Sequence, residues 1–203
     1  MRLHIHPEHP QQRQVNTVAE CLTDGGIIIY PTDTVYGLGC DIFQHKAVER
    51  ICRIKHVDPQ KAQLSFVCAD LSDLSKYTRS ISTPLYRILR SHIPGPFTFI
   101  LPASREVPKI LKSKKNTIGL RVPDHPIARA IIEKLGHPIL SSSLPGEMVE
   151  EFTDPDWIYE RFGKQVDIMV DGGTGGMIYS TIVDMTGEEP VILRQGLGIF
   201  QGA

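Results

Sequence analysis

The stretch Gly25-Gly26-Ile27-Ile28-Ile29-Tyr30-Pro31-Thr32-Asp33-Thr34-Val35-Tyr36-Gly37-Leu38-Gly39 decides how this chain is read. Ile27 to Tyr30 is an unbroken β-branched and aromatic run, the pattern of a strand covered on both faces. Gly25 and Gly26 predict the end of a preceding helix. Pro31 removes a ladder donor and fixes φ, so the strand stops there. Thr32, Asp33 and Thr34 then set three short oxygen-bearing side chains just past a strand's carboxyl end, where open α/β sheets bind ligands. A turn leading into a helix cap would use the same residue types.

Upstream, Val15, Val18, Ala19 and Leu22 fall at helical spacing. Downstream, Ala47, Val48, Ile51 and Ile54 mark another amphipathic helix, and Leu64 to Cys68 a strand. Thr83-Pro84 opens a helix in cap-then-proline order. Pro94-Gly95-Pro96 breaks it ahead of a strand from Phe97 to Leu101. Thr117 to Val122 alternates as a strand with Arg121 near its carboxyl end, and Ile127 to Leu135 is a helix closed by Gly136. Ile139-Leu140-Ser141-Ser142-Ser143 is a second strand ending in hydroxyls. Asp154-Pro155 begins a helix carrying Trp157, Ile158 and Phe162. Val166 to Val170 is a strand emptying into Asp171-Gly172-Gly173-Thr174-Gly175-Gly176, which lacks the endings of phosphate-binding glycine motifs and reads as a flexible loop. Ser180 to Met185 and Val191 to Arg194 form a terminal hairpin. Helices and strands alternate, then strands pair locally. This predicts an α/β single domain over residues 1–203, with a large twisted mixed sheet flanked by helices and residues 1–14 as an N-terminal extension.

Hydrophobic content of 41%, charged content of 22% and a net charge of −1 describe an ordinary globular chain with no overall bias toward a polyanion. No apolar run approaches the roughly 20 residues a membrane helix needs, and Met1 to Pro7 has no signal-peptide core. Cys21, Cys40, Cys52 and Cys68 form no CxxC pair and point to a reducing compartment, the cytoplasm. His4, His6 and His9 have no carboxylate or thiol cluster beside them and read as a solvent-facing segment, so no metal site is expected. Basic residues concentrate in two places. Arg50 and Arg53, with Lys46, line one side of the second helix, and Lys109, Lys112, Lys114 and Lys115 cluster after Arg105. Either group is a solvated surface or a track for nucleic-acid phosphates.

The run from Tyr30 to Gly39 resembles the signature of the YrdC/YciO family, which includes the threonylcarbamoyl-AMP synthases. Further matches follow in family order: Pro94-Gly95-Pro96-Phe97-Thr98, Gly119-Leu120-Arg121-Val122-Pro123, His125-Pro126-Ile127-Ala128, Ser180-Thr181-Ile182-Val183 and Pro190-Val191-Ile192-Leu193-Arg194. Leu64 to Leu71 and Lys115 to Arg121 look closest to the YciO-like branch. The resemblance implies a twisted sheet with a positively lined concave face that binds ATP with Mg²⁺, threonine and bicarbonate. It also implies double-stranded RNA or tRNA as a partner. The implied reaction forms a carbamate on threonine's amine, whose oxygen then attacks the α-phosphorus of ATP and releases pyrophosphate. Placement and charge neutralisation suffice for such chemistry, so no acid/base dyad is required.

Carried over by resemblance, Thr34 with Thr32 and Ser141 would hold the threonine and Arg121 its carboxylate. Lys55, Thr117, Ser143, Thr181 and Arg194 would line the nucleotide, with Lys61 a replacement charge there; the basic stretches, Arg50, Arg53, Lys109, Lys112, Lys114 and Lys115, are the candidates to meet nucleic acid. The chain departs from the family pattern in the K-x-R motif, which reads Lys55-His56-Val57, and in S-x-N, which reads Ser143-Leu144-Pro145. Lys61 and Phe66 stand where Asn and His are expected. Losing a guanidinium contact and one more charged hydrogen bond removes ~3–6 kcal/mol of binding. The departures therefore leave three expectations open: a synthase, an RNA-binding protein without synthesis, and a hydrolase of the adenylate.

Overall fold

A computed structural model describes residues 1–58, 64–108, 111, 116–146 and 152–201. Among these residues ten strands form one sheet, in the order β1-β8-β2-β3-β7-β4-β6-β5-β9-β10. They are β1 (Arg2–His4), β2 (Ile27–Tyr30), β3 (Gly37–Asp41), β4 (Ser65–Val67), β5 (Phe97–Pro102), β6 (Thr117–Arg121), β7 (Ile139–Ser143), β8 (Ile168–Asp171), β9 (Thr181–Asp184) and β10 (Val191–Arg194). The six helices are α1 (Gln12–Thr23), α2 (His45–Ile54), α3 (Ser72–Tyr77), α4 (Thr83–His92), α5 (Pro126–Leu135) and α6 (Pro155–Phe162). The large mixed sheet flanked by helices is the architecture the sequence predicts.

Local chemistry sets the boundaries. Helix α1 ends at Thr23, and past the cap residue Asp24 the chain turns at Gly25, whose φ of +84° suits a residue without a Cβ. A Cβ on Gly26 would lie 2.3 Å from Cys21 Sγ, so the chain can turn back against α1 only with glycine there. β2 is buried along its whole length, between β8 in parallel and β3 antiparallel. Pro126 starts α5 and Gly136, at φ +83°, closes it. Residues 1–14, read from the sequence as an extension, supply β1, which pairs in parallel with β8, and bury Ile5 in the core. β3 and α3 escaped the sequence reading: Gly37-Leu38-Gly39 carries too little side chain to look like a strand, and α3 is only six residues long.

The helices divide unequally between the two faces. α2, α3, α4 and α6 pack on one, with Ile51, Leu74, Leu89 and Phe162 in a large core against Ile29, Leu38, Phe66, Phe99, Leu120 and Val183. On the other, α1 and α5 cover Ile28, Tyr30, Val67, Ile139 and Val170. Strand register places Ser141, Ser143, Ser65, Gly119, Arg121, Thr117 and Thr98 on this second face, because laterally paired residues point the same way. Part of that face is therefore apolar beneath two helices, while the rest is lined by hydroxyls and glycine.

Candidate functional site

The site begins where β2 ends. Pro31 forces the chain out of the ladder, and the turn that follows is held by its own side chains. Thr32 Oγ1 donates to the Val35 carbonyl at 2.8 Å and accepts from the Thr34 amide at 3.1 Å. Thr32, Thr34, Val35 and Tyr36 are buried, so this is a rigid loop. Arg121, arriving from the end of β6, converges on it through one nitrogen. Nη2 donates to Asp33 Oδ1, lies 2.7 Å from Thr34 Oγ1 and 3.3 Å from Thr32 Oγ1. Two hydrogens on Nη2 cannot serve three acceptors fully, so Thr32 is the weakest partner. The Thr34 hydroxyl, accepting from Arg121, keeps its hydrogen for Thr32 at 3.2 Å or for a ligand.

Three buried polar atoms around this pair have no hydrogen-bond partner among the described residues: Asp33 Oδ2, Arg121 Nε and His125 Nδ1. Leaving such groups unpaired costs about 1–3 kcal/mol each, more for charged ones. Burial also holds the His125 imidazole below its ordinary pKa, against the opposing pull of Asp33, so it is neutral at physiological pH. An unpaired carboxylate oxygen beside an unpaired guanidinium N–H suits a small molecule carrying both an ammonium and a carboxylate.

The hydroxyl-lined floor lies next to this loop. Tyr30 donates its phenol to Ser141 Oγ at 2.8 Å, with its ring over Gly37 and Gly39, where a Cβ would come within 3.0 Å of Tyr30. Lys55, just past the C-terminus of α2, reaches the end of β7 and donates Nζ to the Ser143 carbonyl at 2.6 Å. Burial lowers the Lys55 pKa. Farther across the sheet Thr98 Oγ1 lies 2.9 Å from Ser180 Oγ. Arg194 clasps the Ser180 carbonyl through Nε at 3.1 Å and Nη2 at 2.8 Å, over the ring of Tyr179.

The structure brings Thr32, Thr34 and Arg121 into direct contact and sets Ser141, Ser143 and Thr117 on the same face. It separates others from that face. Thr181 is fully buried, its hydroxyl donating to the Gly198 carbonyl and accepting from the Gly196 amide, so its oxygen serves the chain itself. Arg50 and Arg53 sit on α2, which packs against the opposite face of the sheet. Arg50 pairs there with Asp167 at 3.1 Å. Lys61, Lys109, Lys112, Lys114 and Lys115 lie outside the described residues. Val57 is exposed, and Phe66 lies in the large core against Tyr77, while Ser65 on the same strand faces the hydroxyl-lined side. Among the described residues no group of three or more His, Cys, Asp or Glu side chains could hold a metal, and no helix is long and apolar enough to cross a membrane.

Sequence reasoning placed Asp33 in the ligand-binding loop but gave it no role, and it missed the glycine-rich loop after β8. That loop is anchored. The Gly176 amide donates to the Thr34 carbonyl at 2.9 Å, Gly175 to the Thr153 carbonyl at 2.8 Å, and Tyr36 Oη to the Gly173 carbonyl at 2.7 Å. A Cβ on Gly176 would lie 2.4 Å from the Thr34 carbonyl oxygen. No signal in the sequence could have found it: glycines that let two backbones meet are indistinguishable there from glycines that merely flex.

A mixed sheet with one hydroxyl- and glycine-lined face, a guanidinium at one strand end and an ammonium at another defines an α/β protein with a polar, cation-edged face. The chain belongs to the Sua5/YciO/YrdC family, whose model, described as telomere recombination, matches residues 20–196. It is 44% identical over 198 residues to Escherichia coli YciO, covering 96% of this chain and 95% of that one. The YciO crystal structure superposes with a TM-score of 0.91 over 98% of this chain and 97% of that one. It is also 32% identical to the threonylcarbamoyl-AMP synthase of Coxiella burnetii over 163 residues, 80% of this chain and 87% of that one. The crystal structure of Pyrococcus abyssi Sua5 complexed with L-threonine matches with a TM-score of 0.86 at 28% identity, over 97% of this chain and 57% of that one.

Proposed function

We propose that this chain binds an α-amino acid, L-threonine, between Thr34, Asp33 and Arg121, and uses ATP on the adjoining hydroxyl-lined face to form threonylcarbamoyl-AMP. The observation that carries this reading is the matched pair of unpartnered buried atoms, Arg121 Nε and Asp33 Oδ2. An amino acid's carboxylate and ammonium satisfy both at once. The threonine-bound Sua5 structure and the related synthase of Coxiella burnetii support it.

In this reading Arg121 and the free hydrogen of Thr34 orient the carboxylate. Asp33 holds the ammonium until it gives a proton to solvent, and the free amine combines with bicarbonate to give a carbamate and water. A carbamate oxygen then attacks the α-phosphorus of ATP, the bond to the β-phosphate breaks, and pyrophosphate leaves. Lys55 and Arg194 offset phosphate charge, with Mg²⁺ arriving on the ATP itself. Ser141, Ser143 and Thr117 line the path between the two ends of the site. Half-buried Ile100 and Ile182, on the same face by register, offer an apolar floor for a base.

Incubation with ATP, threonine and bicarbonate should yield pyrophosphate and the adenylate, and Thr34→Ala combined with Arg121→Gln should abolish both. Product at equal rate from that double variant would end the proposal. Exposed Val57 and half-buried Pro145, replacing the motif Arg and Asn, favour a second reading in which the face binds RNA without synthesis. Salt-sensitive RNA binding with no pyrophosphate release would support it.

A further inference from the structure

A cavity of about 330 Å³ opens where β4 and β6 end, and none of Thr32, Asp33, Thr34 and Arg121 lines it. Its volume falls within the ~300–1,000 Å³ of small-ligand pockets. Leu71, Ile93, Pro94 and Val122 give it apolar walls, and Arg129 projects from α5 into its lining. Arg129 Nε is buried without a hydrogen-bond partner among the described residues. Among the described residues no carboxylate lies within ion-pair distance of the Arg129 guanidinium. The facing acid, Asp70, is engaged elsewhere: its Oδ1 accepts from the Ser72 hydroxyl and, at 2.7 Å, from the Ser72 amide. Those bonds hold its carboxyl below the usual range, so Asp70 stays ionised across the cavity from Arg129.

We infer that this cavity is a second ligand site, which takes a small monocarboxylate with an apolar body. The carboxylate satisfies Arg129, the body fills the space between Leu71, Ile93 and Val122, and Asp70 turns away a second negative charge. The site does not depend on the proposed synthase reading, since none of Asp33, Thr34 and Arg121 lines it.

Titration of the ¹⁵N-labelled protein with 3-methylbutanoate, benzoate, succinate and inorganic phosphate tests it. Either monocarboxylate should shift the amide resonances of Ala69 to Ser72 and of Val122 saturably, and Arg129→Gln should weaken binding about tenfold or more. Thr34→Ala should leave it intact. Asp70→Asn should tighten binding and admit succinate, a gain that misfolding cannot produce. Absence of saturable shifts with both monocarboxylates, equal binding by Arg129→Gln, or equal binding of phosphate would overturn the assignment.

Discussion

Arg121 and Asp33 form an ion pair whose side chains are only 10% and 11% exposed, yet each keeps a buried polar atom unpaired. A pair built only for stability would close both ends of the fork. Asp33→Asn preserves shape and removes the charge. With Thr32 and Thr34 still holding Arg121, the expected loss of stability is about 1–3 kcal/mol, read by urea titration. Threonine affinity should fall about tenfold or more, while butanoate, which lacks an ammonium, binds more tightly. Calorimetry that finds both ligands weakened alike would remove Asp33 from ammonium recognition.

Gly176→Ala tests whether the glycine-rich loop positions Thr34. The new methyl meets the Thr34 carbonyl and pushes the two loops apart, at a cost of about 1–3 kcal/mol as in overpacked cores. Threonine binding should weaken more than stability alone accounts for. Crystals of the variant should show Thr34 Oγ1 withdrawn from Arg121. Unchanged affinity would make the loop a bystander.

Burial pushes the phenols of Tyr30 and Tyr36 up to about 12. In the unfolded chain both ionise near pH 10, so between about pH 10 and 12 the unfolded state loses protons first and stability falls as pH rises. Each phenol accounts for about 2–3 kcal/mol across that window. Tyr30→Phe should flatten the alkaline decline. At neutral pH it should cost about 1 kcal/mol for the lost Ser141 bond. Denaturant midpoints at a series of alkaline pH values decide it.

Asp171 behaves oppositely. Burial alone would raise its carboxyl, but the Gly173 amide and the Arg2 guanidinium outweigh that and hold it below the usual range. Its contribution is therefore fully present above about pH 4 and lost as pH falls through its lower folded value. Asp171→Asn should destabilise the protein by about 1–3 kcal/mol at pH 7 and progressively less in acid, as β1 loses the tie made by Arg2 and His4. A constant difference between the two proteins down to the acid limit would contradict this.

Much of the fold was legible because its cues are local. Ile27 to Tyr30, the glycines at 25, 26 and 136 and the prolines at 84 and 126 announce strand and helix ends within a few residues of themselves. The ordered family matches carried the sheet and Arg121. By contrast β3, whose two glycines let Tyr30 lie across them, carries no periodic apolar signal, because its missing side chains are what the neighbouring strand requires.

The sequence by itself determined most of the strands and helices and where they stop, β1, β3 and α3 apart, and that Thr34 and Arg121 belong to one family pattern. Only the tertiary structure decided that Asp33 completes their cluster, that Thr181 spends its hydroxyl on Gly196 and Gly198, and that Arg50 lies behind the sheet. The reason is physical: alternation along a strand fixes a residue's face relative to its neighbours in sequence. Which strand lies beside it, and which loop folds over it, depends on contacts such as Thr34 with Arg121, 87 residues apart.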